Sequence, residues 1–171
     1  MIRVVVADDQ ALMRTALEHF VAQAEDLEVV GSAEDGVQAL EAARTLAPDV
    51  VLMDMQMPRM DGVEATARIS AEAPGVRVLA ITTFSSEQYL VPALRAGAAG
   101  YLVKDAPPAE VVDAIRRVHA GDAVFSARVA ADLVEAVTAA PEHADPCPAE
   151  PLAPHERLTE RELDVVRELA K

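Results

Sequence analysis

The sequence is short of aromatic side chains, of cysteine and of long apolar runs. Its 171 residues include no tryptophan, aromatics make up 3%, and Cys147 is the single cysteine. One cysteine cannot form a disulfide within the chain, and no apolar run approaches the ~18 residues needed to span a bilayer. The start MIRVVVADD also lacks the basic segment and cleavage site of a signal peptide. We therefore expect a cytoplasmic protein with an aliphatic core and no membrane partner.

Positive charge is also scarce, because 15 lysine and arginine residues face 29 acidic residues and the formal net charge is −14. The phosphates of DNA would repel such an acidic body. Any contact with nucleic acid would need a separate basic element, and none is visible in these residues. The hydrophobic fraction of 51% nevertheless predicts a folded core.

Apolar runs alternate with helical patterns from residue 2 to about residue 120. This alternation is typical of repeated strand–helix units around a parallel sheet. The runs occupy residues 2–7, 27–33, 49–54, 76–82 and 100–104. Most are continuously apolar, as strands covered on both faces are, whereas the mixed second run suits an edge strand. The sequence predicts an α/β fold with an open, doubly wound, five-stranded parallel sheet and helices on both faces.

Helix starts are marked by short polar side chains followed three residues later by glutamine or glutamate. Such capping boxes are Asp35 with Gln38, Asp61 with Glu64, Ser85 with Gln88, and Thr159 with Glu162. In this motif the first side chain caps the helix and the later one reaches back to the cap residue. Pro107 and Pro108 have the fixed φ that suits the first turn of a fifth helix.

The last fifty residues follow a different pattern. Val129, Leu133 and Val137 predict one further helix, and proline then recurs at positions 141, 146, 148, 151 and 154. Repeated proline favours extended backbone, so this stretch is expected to be a semi-rigid tether. After it, LTERELDVVRELAK has the apolar spacing of a helix that is still running where the chain stops. A lone helix of this length is not stable in water, so we expect it to begin a domain that is missing.

Polar side chains stand where four of the apolar runs end. Asp8 and Asp9 follow the first run, Asp54 ends the third, Thr82 ends the fourth and Lys104 ends the fifth. The carboxyl ends of parallel strands meet at one edge of the sheet, where the ligand crevice of such folds lies. Carboxylates there suit a divalent cation, and an amine and a hydroxyl suit an anion. The combination points to phosphoryl chemistry.

Together these residues resemble a known pattern. Asp8-Asp9, Asp54 followed by MQMPRMDG, Thr82-Thr83, and GYLVKDAPP resemble the receiver domain of two-component response regulators. The resemblance covers residues 2 to about 120 and implies a flavodoxin-like, CheY-like fold with strand order 2-1-3-4-5. LTERELDVVREL resembles the opening helix of the LuxR-type helix-turn-helix domain of the NarL/FixJ subfamily. The expected domains are a receiver (1–121), a linker helix (122–140), a Pro-rich linker (141–157) and the first helix of a truncated helix-turn-helix domain (158–171).

The resemblance also implies a role for each motif residue. Asp54 corresponds to the phosphoacceptor, Lys104 to the amine that pairs with the phosphate, and Thr82 and Tyr101 to switch residues, of which Tyr101 turns inward on phosphorylation. The metal, Mg²⁺ or Mn²⁺, would be held by Asp8, Asp9, Asp54 and the backbone carbonyl of Gln56. Gln56 and Phe84 would flank the path of the water that hydrolyses the acyl phosphate. We expect the aromatic ring of Phe84 to hinder that water.

The implied function is regulatory and not enzymatic beyond self-catalysed phosphorylation and dephosphorylation. A sensor histidine kinase would donate the phosphoryl group, and phosphorylation would drive formation of a homodimer. Either the first and fifth helices or the surface of the fourth and fifth helices would form the dimer seam. Promoter DNA would be the target of the full-length protein, but not of this chain, because the recognition helix would follow Lys171.

Three other functions compete with this interpretation. A phosphatase with an Asp nucleophile would carry a DxD arrangement after the first strand, whereas here the pair is DD and the lone Asp54 follows the third. A nucleotide or flavin binder would need a Gly-rich or Ser/Thr-rich first turn, and ADDQ would repel phosphate without a metal. A receiver-like module without phosphorylation would not need the complete set of site residues.

Overall fold

The computed structural model describes residues 1–83 and 87–138, apart from the side chains of Glu87 and Arg128. Within these residues six strands alternate with six helices. The strands are β1 (Ile2–Ala7), β2 (Leu27–Ala33), β3 (Val50–Asp54), β4 (Arg77–Thr82), β5 (Gly100–Val103) and β6 (Val124–Phe125). The helices are α1 (Ala11–Ala22), α2 (Gly36–Leu46), α3 (Gly62–Glu72), α4 (Glu87–Ala96), α5 (Pro108–Ala120) and α6 (Ala127–Thr138). Over the same residues, no helix combines the length and the apolar character of a membrane span.

The strands form one parallel sheet in the order β2-β1-β3-β4-β5-β6. The predicted parallel sheet, the order of its first five strands and the edge position of β2 are confirmed. The order reverses between β1 and β3, and this reversal opens the crevice at the carboxyl ends of those two strands.

The prediction of five strands was wrong by one. Val124 and Phe125 form a sixth strand that pairs in parallel with Gly100 and Tyr101 of β5. A strand of two residues has too few positions to show a periodic pattern, so no sequence pattern predicts it. Gly100 allows the close approach, because a Cβ there would lie 2.7 Å from the carbonyl oxygen of Val124.

Alternate residues of each strand enter two aliphatic cores on opposite faces of the sheet. Val4 and Val6 of β1 pack with Leu17 of α1 and with α5. Val5 faces the other side, where α2, α3, α4 and α6 cover the sheet. This double covering explains the continuously apolar strands, since neither face of the central strands meets water.

Two of the predicted helix caps form as expected. The carboxylates of Asp35 and Asp61 each accept a hydrogen bond at 2.8 Å, from the backbone N–H groups of Gln38 and Glu64 respectively. The Gln38 side chain does not return to the cap residue, however, because it accepts instead from the N–H of Glu34 at 3.1 Å. The boxes that begin at Ser85 and Thr159 lie outside the described residues.

Helix α6 lies within the stretch predicted to be a linker helix. Val129 and Leu133 are buried against the face of the sheet that α4 also covers, whereas Val137 is exposed. Strand β6 and helix α6 therefore belong to the same folded unit as the first 121 residues. The Pro-rich stretch 141–157 and the predicted helix 158–171 lie outside the described part of the chain.

Candidate functional site

Three carboxylates meet at the carboxyl ends of β1 and β3. These strands are neighbours, with Ala7 opposite Met53, so Asp8 and Asp54 end side by side. Asp8 is fully buried, Asp54 is 3% exposed, and Asp9 faces solvent. One carboxylate oxygen from each of the three residues lies within 4.8 Å of the other two.

Lys104 is the cationic partner of this cluster. Its Nζ lies 2.6 Å from Asp8 Oδ2 and 3.0 Å from Asp54 Oδ2, and its side chain is only 3% exposed. The residue follows β5, and its backbone N–H donates to the carbonyl oxygen of Thr82 at 2.6 Å. This bond holds the end of β5 against the end of β4 and directs the ammonium across the crevice.

Burial and charge act against each other at this site. Burial raises the pKa of Asp54 above its ordinary value, and the neighbouring Asp8 charge adds to the effect, while the hydrogen bond and charge of Lys104 oppose it. For Lys104, burial alone would lower the pKa, but the paired carboxylates outweigh burial and the net pKa is raised. Lys104 is therefore charged at neutral pH, and Asp54 ionises less readily than a free aspartate.

The donor set fits a hard divalent cation. Three carboxylates face a single ammonium, so the site carries excess negative charge that one lysine does not neutralise. Mg²⁺ takes one or two carboxylates and keeps several waters, and the exposed side of Asp9 leaves room for them. Asp8, Asp9 and Asp54 are therefore brought together as the sequence predicts for a metal site.

The loop after Asp54 is held from two sides. The Gly62 N–H donates to the carbonyl oxygen of Met55 at 3.1 Å, and the Gly36 N–H donates to that of Met60 at 3.0 Å. A Cβ on Gly62 would lie only 2.1 Å from the backbone oxygen of Asp54, so α3 begins directly against the end of β3. The loop thus closes back on the aspartate that it follows.

An ion pair also anchors this loop to α2. The buried carboxylate of Asp35 pairs with the guanidinium of Arg59, which sits in the left-handed region at φ 66°. Such a backbone conformation is uncommon for arginine and persists where its surroundings hold it. Sequence reasoning identified Asp35 only as a helix cap and missed the role of Arg59, for which no local motif gives a signal.

Thr82 ends β4, and Tyr101 is the second residue of the neighbouring strand β5, where it lies opposite Ala80. Thr82 is 2% exposed and Tyr101 is fully buried. Burial raises the pKa of the Tyr101 hydroxyl to about 12, and the neighbouring Thr82 hydroxyl offsets part of that rise. The family resemblance implies that the Tyr101 ring turns inward on phosphorylation. In this structure the ring already lies inward.

Gln56 lies at the exposed mouth of the site. Its backbone N–H donates to Asp54 Oδ1 at 3.2 Å, and its side-chain amide donates to the hydroxyl of Tyr89 on α4 at 3.1 Å. The position of Gln56 was predicted, but its partner Tyr89 belongs to no motif and was missed. Phe84, the other residue predicted beside the water path, lies outside the described residues.

Comparison with known proteins gives a consistent result. Residues 4–116 match the family model of the response regulator receiver domain. The chain is similar to the uncharacterized transcriptional regulatory protein YxjL of Bacillus subtilis (strain 168), with 40% identity over 169 residues, 99% of this chain and 75% of the relative. It is also similar to the transcriptional regulatory protein LiaR of the same organism, with 37% identity over 97% of this chain and 75% of that protein.

Solved structures agree with the sequence relatives. The signal receiver domain of the response regulator NarL from Mycobacterium tuberculosis aligns with a TM-score of 0.68 and 38% identity, over 70% of this chain and 97% of that chain. A LuxR-family two-component response regulator from Aurantimonas sp. SI85-9A1 aligns with a TM-score of 0.75 and 31% identity, over 80% of this chain and 97% of that one.

Proposed function

Because the chain belongs to the response regulator receiver family of two-component systems, we propose that Asp54 accepts a phosphoryl group from a sensor histidine kinase. The observation that carries this proposal is the position of Lys104, whose ammonium lies 3.0 Å from Asp54 Oδ2 at the carboxyl end of the sheet. An amine so placed can move from the carboxylate to an oxygen of a phosphoryl group bound there. Asp8 and Asp9 complete the site beside it.

The transfer is an in-line displacement at phosphorus. An oxygen of the ionised Asp54 attacks phosphorus, the bond from phosphorus to the donor nitrogen breaks, and its electron pair returns to the imidazole of the kinase. Lys104 pairs with one equatorial oxygen and offsets its negative charge. Mg²⁺, held by Asp8, Asp9, Asp54 and the Gln56 carbonyl, would supply further charge neutralisation at the phosphoryl oxygens. The product is an acyl phosphate on Asp54.

The phosphoryl group would act as the input of a switch. It adds charge and strong acceptor oxygens beside Thr82, whose hydroxyl can donate to one of them. We infer that this bond favours the inward Tyr101 and a matching arrangement of α4, β5 and α5, which promotes homodimer formation. The protein would thus regulate and not catalyse, apart from its own phosphorylation and dephosphorylation.

The output would lie in the C-terminal part of the chain and beyond it. Residues 1–121 would form the receiver, against which β6 and α6 of the predicted linker helix (122–140) pack, followed by the Pro-rich linker (141–157) and the first helix of a LuxR-type DNA-binding domain (158–171). Two curated relatives are named transcriptional regulatory proteins, and this chain spans 75% of each. Promoter DNA is accordingly the proposed target of the full-length protein.

Phosphorylation with a small donor tests the proposal directly. Wild type incubated with Mg²⁺ and acetyl phosphate should gain the mass of one phosphoryl group, and Asp54→Asn should gain none. Asp122→Asn is a matched control. This exposed carboxylate lies between α5 and β6, at the amino ends of the strands and therefore at the end of the sheet opposite the site. No added mass on wild type, with the cognate kinase also tried, would refute the proposed function.

A further inference from the structure

A hydrogen bond joins the loop after β3 to helix α4 across the mouth of the site. The donor is the side-chain amide of Gln56, two residues beyond Asp54, and the acceptor is the hydroxyl of Tyr89, 3.1 Å away. The half-buried Tyr89 ring packs against the core that α2, α3 and α4 cover, and its hydroxyl reaches the Gln56 amide. One partner is therefore half-buried against the core, and the other is exposed.

This difference decides which group positions the other. The backbone of Gln56 is held by its N–H bond to Asp54 Oδ1 at 3.2 Å, but its exposed side chain has several rotatable bonds. A tyrosine ring has only two side-chain torsions, and the contact of Tyr89 with the core restricts them. The Tyr89 hydroxyl therefore sets the direction in which the Gln56 amide points.

The direction of that amide bears on how the phosphoryl group is lost. Water attacks phosphorus opposite the bond to Asp54, that bond breaks, and its electron pair returns to the carboxylate as inorganic phosphate leaves. Lys104 and Asp8 occupy the inner side of Asp54, so the group and the incoming water lie on the solvent side, next to Gln56. A free amide there can turn its oxygen toward the water, accept a hydrogen bond from it and orient it for attack. While the amide nitrogen donates to Tyr89, the amide is directed toward α4 instead.

We propose that Tyr89 is a positioning residue that holds the Gln56 amide away from the attacking water and so prolongs the life of the phosphoryl group. This inference rests on the proposed function of Asp54. It also ties the lifetime to the position of α4, because any movement that separates Tyr89 from Gln56 releases the amide.

The test is a double-mutant cycle on the rate of phosphoryl loss. The full chain is phosphorylated with acetyl phosphate and Mg²⁺, freed of donor by rapid desalting, and followed by intact mass. Tyr89→Phe removes one oxygen and should shorten the lifetime about 2- to 10-fold, the value of one hydrogen bond. In the Gln56→Ala background the same substitution should change nothing. Thr45→Val, which removes an exposed hydroxyl that donates within α2, is the matched control.

Each possible result either supports or overturns the inference about Tyr89. An unchanged or longer lifetime in Tyr89→Phe overturns the inference, as does an equal effect of Tyr89→Phe with and without Gln56. The Mg²⁺ concentration for half-maximal phosphorylation should stay at the wild-type value, because the hydroxyl that is removed bonds to the Gln56 amide and the carboxylates are left in place. A shift of that concentration in Tyr89→Phe would mean that the whole site had loosened, and would also overturn the inference. If wild type gains no phosphoryl group at all, the proposed function itself fails.

Discussion

For the substitution Gly62→Ala, helix propensity and steric contact predict opposite changes in the stability of the protein. In a helix interior alanine is favoured over glycine by about 1 kcal/mol, which is an upper bound at the first position of α3, so propensity alone predicts a more stable protein. The added Cβ, however, would lie 2.1 Å from the backbone oxygen of Asp54 and 2.7 Å from the Cα of Met55. Both are backbone atoms, so no flexible side chain can turn away to make room.

The steric contact of the added Cβ should outweigh the gain in helix propensity. Overfilling a packed region costs about 1–3 kcal/mol, and contact with backbone belongs at the upper end or above it. After the gain from propensity we expect a net loss of about 1–3 kcal/mol, which lowers the melting temperature by about 4–12 °C for a domain of this size. The strained contact is with the backbone of Asp54 itself. The rate at which Asp54 accepts phosphate should therefore fall strongly even though most of the protein stays folded.

Gly75→Ala is the control for this substitution. A Cβ on Gly75 meets nothing within 4 Å, so the change should leave stability within about 0.5 kcal/mol or raise it slightly. Thermal unfolding and the rate of phosphorylation by acetyl phosphate are measured for both variants. A Gly62→Ala protein that melts at or above the wild-type temperature and accepts phosphate normally would show that the start of α3 does not constrain the acceptor.

Two further predictions concern charge at the site and packing of the last described helix. The pKa of Asp54 is raised above 3.8, so its contribution to stability is present below that pH and is lost as pH rises through the raised pKa. Asp54→Asn should therefore become more stable relative to wild type as pH rises toward neutrality, and a constant difference in urea unfolding across that range would contradict the assignment. Leu133→Ala removes about 2–5 kcal/mol of packing from α6, which is too short to persist alone, so its amides should exchange faster while the rest of the domain keeps its protection. Val134→Ala, at a position 47% exposed on the same helix, should leave exchange unchanged, and equal effects of the two substitutions would refute the packing.

The sheet could be predicted because burial on both faces constrains the residues of its central strands. Strand β3 is buried along its whole length, so every position before Asp54 is apolar, and the resulting run can be read directly from the sequence. The site followed from the same pattern, since Asp8, Asp54 and Lys104 each interrupt or end an apolar run. Once the runs are placed in parallel, these charged residues have to meet.

The parts that could not be predicted depend on contacts between distant segments. Arg59 and Tyr89 lie in a loop and on a helix, and only the folded chain brings them to Asp35 and Gln56. The Gln38 side chain matches its motif, but it bonds to the N–H of Glu34 because the chain before the cap turns toward it. Such choices depend on three-dimensional geometry that residue spacing does not specify.

Strand β6 also fixes where this protein can be joined to another. An engineer who grafts the phosphorylated half of one regulator onto the output of a second must choose a junction, and Gly121, at the end of α5, is an obvious candidate. A cut there would remove Val124 and Phe125 and leave the edge of β5 unpaired along Gly100 and Tyr101. An open edge invites other chains to pair with it, so such a hybrid would tend to aggregate. A junction after Thr138 keeps that edge covered, and the graft should carry β6 and α6 with it.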